Sequence, residues 1–307
     1  MKDVSKLVLA CALMVGLVAT APCLALGETQ NEADESQGVQ QDASAADELS
    51  GVTPKMWCSS AKVNSIKLKW NGVSNATAYK LYRKTGGGAF KRIRTLPASA
   101  RGYQDKKLSR KKTYLYKLRA CKGSEASKYS RAISKYKVRG NYKSPAAFGG
   151  YLSTKKLSRL ANTSANVINK YQVRALPKSR RITLLHDWIC YVCSYSQKGN
   201  YFYSAYGCLV KKKASCFGYA EGMKALCKEA GVPCKVMRAN KHSSVPNHEW
   251  NIVKLKGKWY IVDVQCDDTS GFYATFMLGS KSYKNITGMN WNTKKYPKVS
   301  SKDYDLS

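Results

Sequence analysis

The sequence predicts a multidomain protein in which an all-β sandwich precedes an α+β domain. Apolar and polar residues alternate with period two between residues 52 and 138, with turn residues between the runs. A joint rich in glycine, proline and serine, GNYKSPAAFGG, follows this part of the chain. Beyond the joint, apolar residues recur at helical spacing, and strand-like segments come after the helices. Helices followed by an antiparallel sheet are typical of the α+β class.

Residues 1–27 have the layout of a secretory signal peptide. Lys2 and Lys6 precede an apolar run that ends in small residues around Gly27. The run is also long enough to cross a bilayer, so an uncleaved N-terminal anchor is the alternative. Residues 28–50 contain seven acidic residues and no lysine or arginine, which predicts a disordered linker. We therefore expect a secreted, surface-associated or wall-associated protein.

The rest of the chain is strongly basic. It holds 51 lysine and arginine residues against 11 aspartate and glutamate residues. A positive field of this size attracts polyanions. Because the lysines are spread evenly rather than gathered on one helix or loop, we expect an anionic cell-wall polymer or surface as partner, and no sequence-specific nucleic acid. A charge that serves only solubility is the alternative.

Residues 51–142 form the first predicted domain. About ninety residues with several short strands indicate two packed sheets. The predicted strands are Ser65–Trp70, Ala78–Arg83, Phe90–Arg94, Thr113–Cys121 and Tyr129–Val138.

Three features of this domain, namely Trp70, the AYKLYRK run and the TYLYKLRA run, resemble a bacterial fibronectin type III domain. Tyr114 occupies the position of the family's tyrosine whose hydroxyl ties back to the preceding loop. The resemblance implies a spacer or a binding module. Cys58 and Cys121 are candidates for a disulfide across the sandwich.

Residues 143–307 form the second predicted domain, which begins with three helices. The first has an apolar face broken near Asn162–Thr163, the second covers Ile182 to Val192, and the third follows Ser215 and stops at Gly231. Two strands, HEWNIVKL and KWYIVDVQC, then flank Lys256–Gly257, a two-residue hairpin turn.

Cys216 stands at the start of the third helix, directly after a serine in the capping position. A thiol in the first turn of a helix lies at the positive end of the helix dipole, which favours the nucleophilic thiolate. Gly218 and Gly222 each cost this helix about 1 kcal/mol relative to alanine. Glycine at these two positions is explained if the backbone of a substrate or a packed strand must come close to the helix.

A nucleophilic cysteine needs a base and a group that orients the base, and the chain has three histidines. His186 lies within the second helix as a structural or surface residue, and His242 lies in a loop. His248 opens the first strand of the hairpin. Counting back from the turn places Trp250 opposite Asp263, so His248 and Asp263 are diagonal neighbours on one face.

The segments HDWICYVCSYS, ASCFGYAEGMKALC, NHEWNIVKLKGKWYIVDVQCDD and FMLGS resemble, in order and spacing, the transglutaminase-like superfamily of papain-related cysteine enzymes. The resemblance implies that Cys216 is the nucleophile, His248 the base and Asp263 its orienting partner. It further implies a thioester intermediate formed from a glutamine carboxamide or a peptide bond. An amine acceptor such as lysine then gives a cross-link, and water gives deamidation or proteolysis. The chain departs from the family's D-x-T-W run at Val264 to Cys266.

Other residues are weaker candidates. A substrate pocket is predicted from residues near the triad, with the Cys216 amide as oxyanion donor; its members are Gly218, Tyr219, Trp250, Tyr195 and Tyr206. Asp187 and Glu249 are expected to be solvated. No cofactor and no metal is predicted, although the Cys190 and Cys193 pair has a zinc-ligand spacing.

Nine cysteines follow the predicted signal peptide. In an exported chain this number suits up to four disulfides and one free thiol, which we assign to Cys216. Two alternatives to an acyltransferase stay open. One is a cell-wall or extracellular cysteine peptidase or amidase, and the other is a non-catalytic adhesion or binding protein.

Overall fold

The computed structural model describes residues 49–137 and 148–305, and these fall in one compact unit. The predicted signal peptide, nearly all of the acidic linker and the boundary at residue 142 lie outside the described residues. Leu49, which the sequence assigned to the linker, begins a 3-10 turn and is buried in the core of the first domain. Among the described residues no helix has the length and apolarity that a membrane span requires.

The first domain is a two-sheet sandwich, as predicted. One sheet has the order β1-β2-β5; in the other, the order is β4-β3-β6-β7, with β8 also paired to β6. This pairing resembles that of a fibronectin type III domain. The strands are β1 (Met56–Lys62), β2 (Ser65–Trp70), β3 (Ala78–Thr85), β4 (Lys91–Pro97), β5 (Gly102–Asp105), β6 (Tyr114–Lys122), β7 (Glu125–Ala126) and β8 (Ile133–Lys135).

Period-two burial builds the sandwich core. Along β6, Tyr116 and Leu118 point inward and are fully buried, while Lys117 between them is only partly buried. The Tyr114 hydroxyl accepts a hydrogen bond from the Ser109 backbone N–H at 2.9 Å, which confirms the predicted tie to the preceding loop.

The predicted strand Tyr129–Val138 is too long, because within its described residues, 129–137, only the three residues of β8 pair with β6. Before β8, side-chain oxygens replace strand carbonyls. Ser127 Oγ accepts from the Ala120 N–H at 2.9 Å, and Ser130 Oγ accepts from the Leu118 N–H at 3.0 Å. The strands β1 and β5 were not predicted.

The second domain packs three long helices against a four-stranded antiparallel sheet with the order β11-β12-β13-β14. One sheet face shares a core with the helices, and the other packs against the C-terminal segment. The elements are α1 (Thr154–Lys170), α2 (Lys178–Val192), β9 (Ser194–Tyr195), a π-helical turn (Gly207–Lys211), β10 (Lys213–Ala214), α3 (Cys216–Ala230), β11 (Cys234–Arg238), β12 (Glu249–Leu255), β13 (Lys258–Val262), α4 (Val264–Ser270), β14 (Phe276–Leu278) and α5 (Ser280–Thr287).

The hairpin of β12 and β13 has the predicted turn and register. Lys256 and Gly257 both have positive φ, 46° and 81°, as a two-residue primed turn requires. The pairing then runs from Leu255 opposite Lys258 to Asn251 opposite Val262.

The prediction that the second strand continues through Asp263 to Cys266 is wrong. The ladder ends at Val262, and Asp263 caps helix α4 by accepting a hydrogen bond from the Cys266 N–H at 3.3 Å. His248 likewise lies just before β12, rather than opening it.

Helix α1 is continuous, and polar residues interrupt its apolar face near Asn162–Thr163, as predicted. Two asparagines on this face contact the sandwich. Asn162 Oδ1 accepts from the Val63 N–H at 3.0 Å, and Asn166 Oδ1 accepts from the Ala61 N–H at 2.9 Å. Two side chains one helical turn apart therefore accept hydrogen bonds from backbone N–H groups at the outer edge of β1. An edge strand otherwise leaves such backbone groups without a partner.

Two further contacts join the domains. Asn169 Oδ1 accepts from the Tyr136 N–H at 2.8 Å, and Gln172 Oε1 accepts from the Ser134 N–H at 2.8 Å. Within the sandwich, the buried Lys135 ammonium donates to the Val63 carbonyl at 3.1 Å. Desolvation lowers the pKa of Lys135 to about 8, because burial disfavours its charged form.

We predict that Asn166→Ala lowers the free energy of unfolding by about 1 kcal/mol, since the Ala61 N–H then loses its acceptor at the domain interface. Urea denaturation measures this loss. Ser158→Ala, at an exposed position of the same helix, is the matched control and is expected to leave stability unchanged. Equal stability of both variants would show that the interface hydrogen bond contributes nothing.

Candidate active site

Cys216 is the first residue of α3, and Ser215 occupies the N-cap position. The expected side-chain cap is not formed. The Ser215 N–H donates to the Phe202 carbonyl at 2.9 Å, and its hydroxyl lies 3.5 Å from the same oxygen. The N–H groups of the first turn of α3 have no carbonyl partner within the helix, so the positive end of the helix dipole points at the Cys216 region.

The two glycines of α3 allow the protein's own chain to pack against the helix. A Cβ at Gly218 would lie 2.3 Å from the Phe202 carbonyl oxygen, and one at Gly222 would lie 2.7 Å from Cys208 Sγ. Neither distance is tolerable for a carbon atom. A close approach was predicted, and the approaching groups are a loop and the π-helical turn.

The structure brings Cys216, His248 and Asp263 together from three elements. His248 Nε2 lies 2.7 Å from Asp263 Oδ2, and the Cys216 thiol lies close enough to the imidazole to act on its pKa. Because Nε2 is engaged by the carboxylate, Nδ1 is the ring nitrogen available to sulfur. Cys216 and His248 expose only 9% and 7% of their surface, and Asp263 exposes 1%.

The imidazole of His248 is held in its charged form. Burial is the largest single influence and lowers the pKa of His248, but Asp263 and Cys216 together outweigh it and raise the pKa to about 10. An imidazolium beside a thiol favours thiolate on the sulfur.

Two residues that sequence reasoning missed support this arrangement. The Tyr283 hydroxyl donates to Asp263 Oδ2 at 2.8 Å. Asn251 Nδ2 donates to the Ala220 carbonyl at 2.9 Å and so joins the His248 strand to the Cys216 helix. Tyr283 is far along the chain and carries no local signal, whereas Asn251 stands in the HEWN run that the sequence singled out.

Comparison with known proteins identifies the region that contains Cys216, His248 and Asp263. Residues 165–264 match the family model of the Transglutaminase-like superfamily. Kyphoscoliosis peptidase of Mus musculus and that of Homo sapiens are each 28% identical to this chain over 98 residues. Those residues are 27% of this chain and 15% of each relative's length. Residues 165–264 are a transglutaminase-like domain.

The similar solved structures cover the sandwich. A fibronectin type III domain of human collagen XX is 17% identical, covers 29% of this chain and 96% of that chain, and has a TM-score of 0.25. A segment of two such domains from chicken tenascin is 20% identical, covers 28% of this chain and 49% of that chain, and has a TM-score of 0.25.

The predicted pocket residues of the transglutaminase-like domain lie in different environments. Trp250 is buried, and its ring stacks on His248 with centroids 6.0 Å apart. Tyr219 is buried and its hydroxyl donates to Asp268. Tyr206 is buried and its hydroxyl accepts from Arg159 at 3.3 Å. Tyr195 is 43% exposed. Gly218 is also one of the predicted pocket residues, but the backbone of Phe202 fills the space beside it.

A second imidazole lies behind the triad. His186 is buried, and its ring nitrogens lie 2.9 Å from Asp187 Oδ1 and 3.0 Å from Asp267 Oδ2. Burial opposes its charge, but the two carboxylates raise the pKa of His186 well above the usual value. Its structural role is confirmed, and the prediction that Asp187 is solvated is wrong. The same prediction for Glu249 is wrong, because burial raises the pKa of that carboxyl to about 7.

All nine cysteines in the described residues are free thiols. The predicted disulfide between Cys58 and Cys121 is therefore absent from the structure, and both side chains are buried within the sandwich. Cys190 and Cys193 do not form a pair, because they contact different partners. Cys190 Sγ lies 3.8 Å from His186 Nε2, and Cys193 lies beside Cys208. The described residues contain no cluster that could hold a metal ion.

The raised pKa of His248 predicts a pH dependence of stability. Because the folded-state value of about 10 exceeds the ordinary 6.5, the stabilising effect is complete below pH 6.5 and is lost as pH rises through about 10. We expect the free energy of unfolding of the unaltered protein to fall toward that of His248→Gln across this window.

Urea denaturation at a series of pH values measures this difference. His242→Gln, at an exposed position, is the matched control and is expected to follow the unaltered protein. A stability gap between His248→Gln and the unaltered protein that stays constant up to pH 10 would contradict the charged state assigned to His248.

Proposed function

We propose that this protein catalyses acyl transfer through a thioester on Cys216. The observation that supports the proposal best is the position of His248, whose ring lies 2.7 Å from the Asp263 carboxylate and close enough to the Cys216 thiol for the two groups to act on each other's charge. This is the arrangement of nucleophile, base and orienting group that covalent catalysis needs. Lying within the transglutaminase-like domain, the three residues match the family's motif in order.

The chemistry follows from the protonation state of His248. The Cys216 thiolate attacks the carbonyl carbon of an amide, and the imidazolium gives its proton to the nitrogen that leaves. The products of this step are an amine and a thioester on Cys216. The neutral imidazole then takes a proton from the acceptor, whose oxygen or nitrogen attacks the thioester and restores the thiol.

The first-turn amides of α3 are the proposed oxyanion donors. They carry no helical hydrogen bond and stand beside Cys216, where negative charge develops on the carbonyl oxygen. Tyr206 is a poor additional donor because it is buried. Tyr195 is exposed, and it remains the candidate for a substrate contact from the loop side.

The small exposed area of Cys216 and His248 favours a slender acyl donor. A glutamine side chain or an extended peptide fits this condition better than a folded surface. The similar peptidases of mouse and human carry the word peptidase in their names, which favours water as an acceptor here. A lysine acceptor would instead give a cross-link.

A non-catalytic binding protein is the rival proposal. It gives no reason for a charged imidazole to be kept between a carboxylate and a thiol at 7% exposure, since burying ions is costly without a function or a full set of partners. The sandwich fits a spacer or binding module in either case.

Reaction with iodoacetamide distinguishes the two proposals. We expect Cys216 to be labelled fastest of the nine thiols near neutral pH and its labelling to fall by at least about tenfold in His248→Ala, because the thiolate loses its counter-ion. Cys266 is the internal control, since burial raises its pKa to about 11 and no histidine is among its main influences. Equal labelling of Cys216 in both proteins would favour the binding protein.

The products formed from a mixed peptide library identify the acceptor. Mass spectrometry with and without a primary amine is expected to show amide products that are absent from the Cys216→Ala protein. Hydrolysed peptides alone would assign a peptidase or amidase, and amine adducts would assign a cross-linking enzyme. No product at all with labelled Cys216 would contradict acyl transfer for the tested substrates.

We also propose export and association with an anionic wall polymer. The support is the apolar N-terminal run after two lysines and the excess of 51 basic over 11 acidic residues beyond the linker. N-terminal sequencing of protein from the culture medium and wall fraction is expected to begin near residue 28. Full-length protein found only in the cytoplasm would contradict export.

A further inference from the structure

A second group of nucleophilic side chains lies apart from the triad, at the junction of α2, the π-helical turn and β10. Its members are the thiols of Cys193 and Cys208, the Lys212 ammonium and the Tyr219 hydroxyl. We propose that Cys193 and Cys208 form a disulfide whose closure is assisted by Lys212.

The backbone brings these residues together. Cys193 follows the last residue of α2 and leads into β9, whose Ser194 N–H donates to the Lys212 carbonyl at 3.0 Å. Cys208 lies in the π-helical turn that ends at Lys212. The Cys193 and Cys208 thiols lie close enough for each to act on the pKa of the other, and the Tyr219 hydroxyl, which donates to Asp268, lies close enough to Cys193 to act on it as well.

Lys212 gives this pair its chemical character. Its Nζ is buried and donates no hydrogen bond to any described residue, and it lies 4.1 Å from the centre of the Trp188 ring. Burial lowers the pKa of Lys212 to about 8, while the two thiols act in the opposite direction. A buried ammonium that has no hydrogen-bond acceptor is stabilised by a neighbouring anion. The groups beside Lys212 that can become anions are the Cys193 and Cys208 thiols.

The two sulfurs are not equivalent. Cys193 exposes 4% of its surface and leads directly into the two-residue pairing of β9, whereas Cys208 is fully buried. The neighbouring Cys208 thiol lowers the pKa of Cys193 and Lys212 acts in the same direction, while burial and the Asp268 carboxylate oppose them. Cys193, the more accessible sulfur, is therefore the attacking one, and Cys208 is the sulfur that closes the bridge.

The oxidant is a low-molecular-weight disulfide. The Cys193 thiolate attacks one of its sulfurs, its S–S bond breaks, and one small thiol leaves. Cys208 then gives up its proton and attacks the Cys193 sulfur of the mixed disulfide, and the second small thiol leaves. Two protein thiols are oxidised to one disulfide, and the reagent is reduced to two thiols.

Access to the buried pair requires only local opening. Cys193 and Cys208 expose 4% and 0% of their surface, but β9 and β10 pair through just two residues each. Short pairings of this kind open without global unfolding.

The chain offers a matched internal control at the other end of α3. Cys227 and Cys234 also lie close to each other, and this contact together with burial raises the pKa of Cys227 well above the usual value. No cation is among the influences on Cys227 within the described residues. The control pair, Cys227 and Cys234, therefore has the contact between two thiols but lacks the influence of a lysine ammonium that acts on Cys193 and Cys208.

Oxidation of the folded full-length chain by oxidised glutathione tests the proposal. Cys216→Ala is used as background to remove the proposed active-site thiol. Samples are quenched with acid, denatured, alkylated, digested and mapped by mass spectrometry. We expect a peptide linking Cys193 to Cys208 to appear while Cys227 and Cys234 are still alkylated.

Substitutions of Lys212 test the role of the ammonium. Lys212→Met is expected to slow the closure by about tenfold, the effect of one pKa unit on thiolate population, and Lys212→Arg is expected to retain the rate. Cys208→Ser is expected to trap glutathione on Cys193. The proposal is overturned if the Cys193–Cys208 peptide is absent, if both thiol pairs close at one rate, or if Lys212→Met closes as fast as the unaltered residue.

Discussion

The buried carboxylate of Asp263 is the group on which the site depends. Its Oδ2 accepts from His248 Nε2 at 2.7 Å and from the Tyr283 hydroxyl at 2.8 Å, and its Oδ1 accepts from the Cys266 N–H at 3.3 Å. A carboxylate that exposes 1% of its surface is stable only with such a set of partners. The end of β13, the start of α4 and helix α5 must therefore all be in place before His248 can be oriented.

Helix α4 is held at a second point by the same kind of interaction. Asp267, one turn after Asp263, accepts from the Thr275 N–H at 2.7 Å and lies 3.0 Å from His186 Nε2. The charged His186 also faces Asp187, so one imidazolium lies between two carboxylates. This cluster fixes α4 against α2 and fixes in turn the residue that orients His248. The two histidines thus have linked tasks, one structural and one chemical.

The sequence predicts those parts of the fold that local rules govern. Alternation predicted the sandwich strands, Gly231 predicted the end of α3, and Lys256–Gly257 predicted the hairpin register. The YIVDVQC run alternates like a strand, but the capping hydrogen bond of Asp263 outweighs that pattern and starts a helix. Asn162 interrupts the apolar face of α1 because its partner, the Val63 N–H just after β1, lies in the other domain.

The proximity of Cys216, His248 and Asp263 was predictable because each of these residues stands in a motif near a helix start or a strand end. The residues that hold them in place were not predictable. Tyr283 reaches Asp263 from a helix that follows the sheet, and the residues that cover Gly218 come from a loop without a regular pattern. Contacts between segments far apart in sequence depend on the completed tertiary packing, which periodicity does not report.

The glycines of α3 connect the candidate active site with the thiol pair. Phe202, whose carbonyl would clash with a Cβ at Gly218, belongs to the segment between Cys193 and Cys208, and Cys208 itself fills the space beside Gly222. The segment that packs on the first turns of the Cys216 helix is therefore bounded by the two thiols. A constraint between those thiols would restrict the loop that lies next to the nucleophile, because a closed loop has fewer conformations in the unfolded and locally opened states. Replacing either glycine would push the same loop outward, so packing and covalent closure act on one wall of the site.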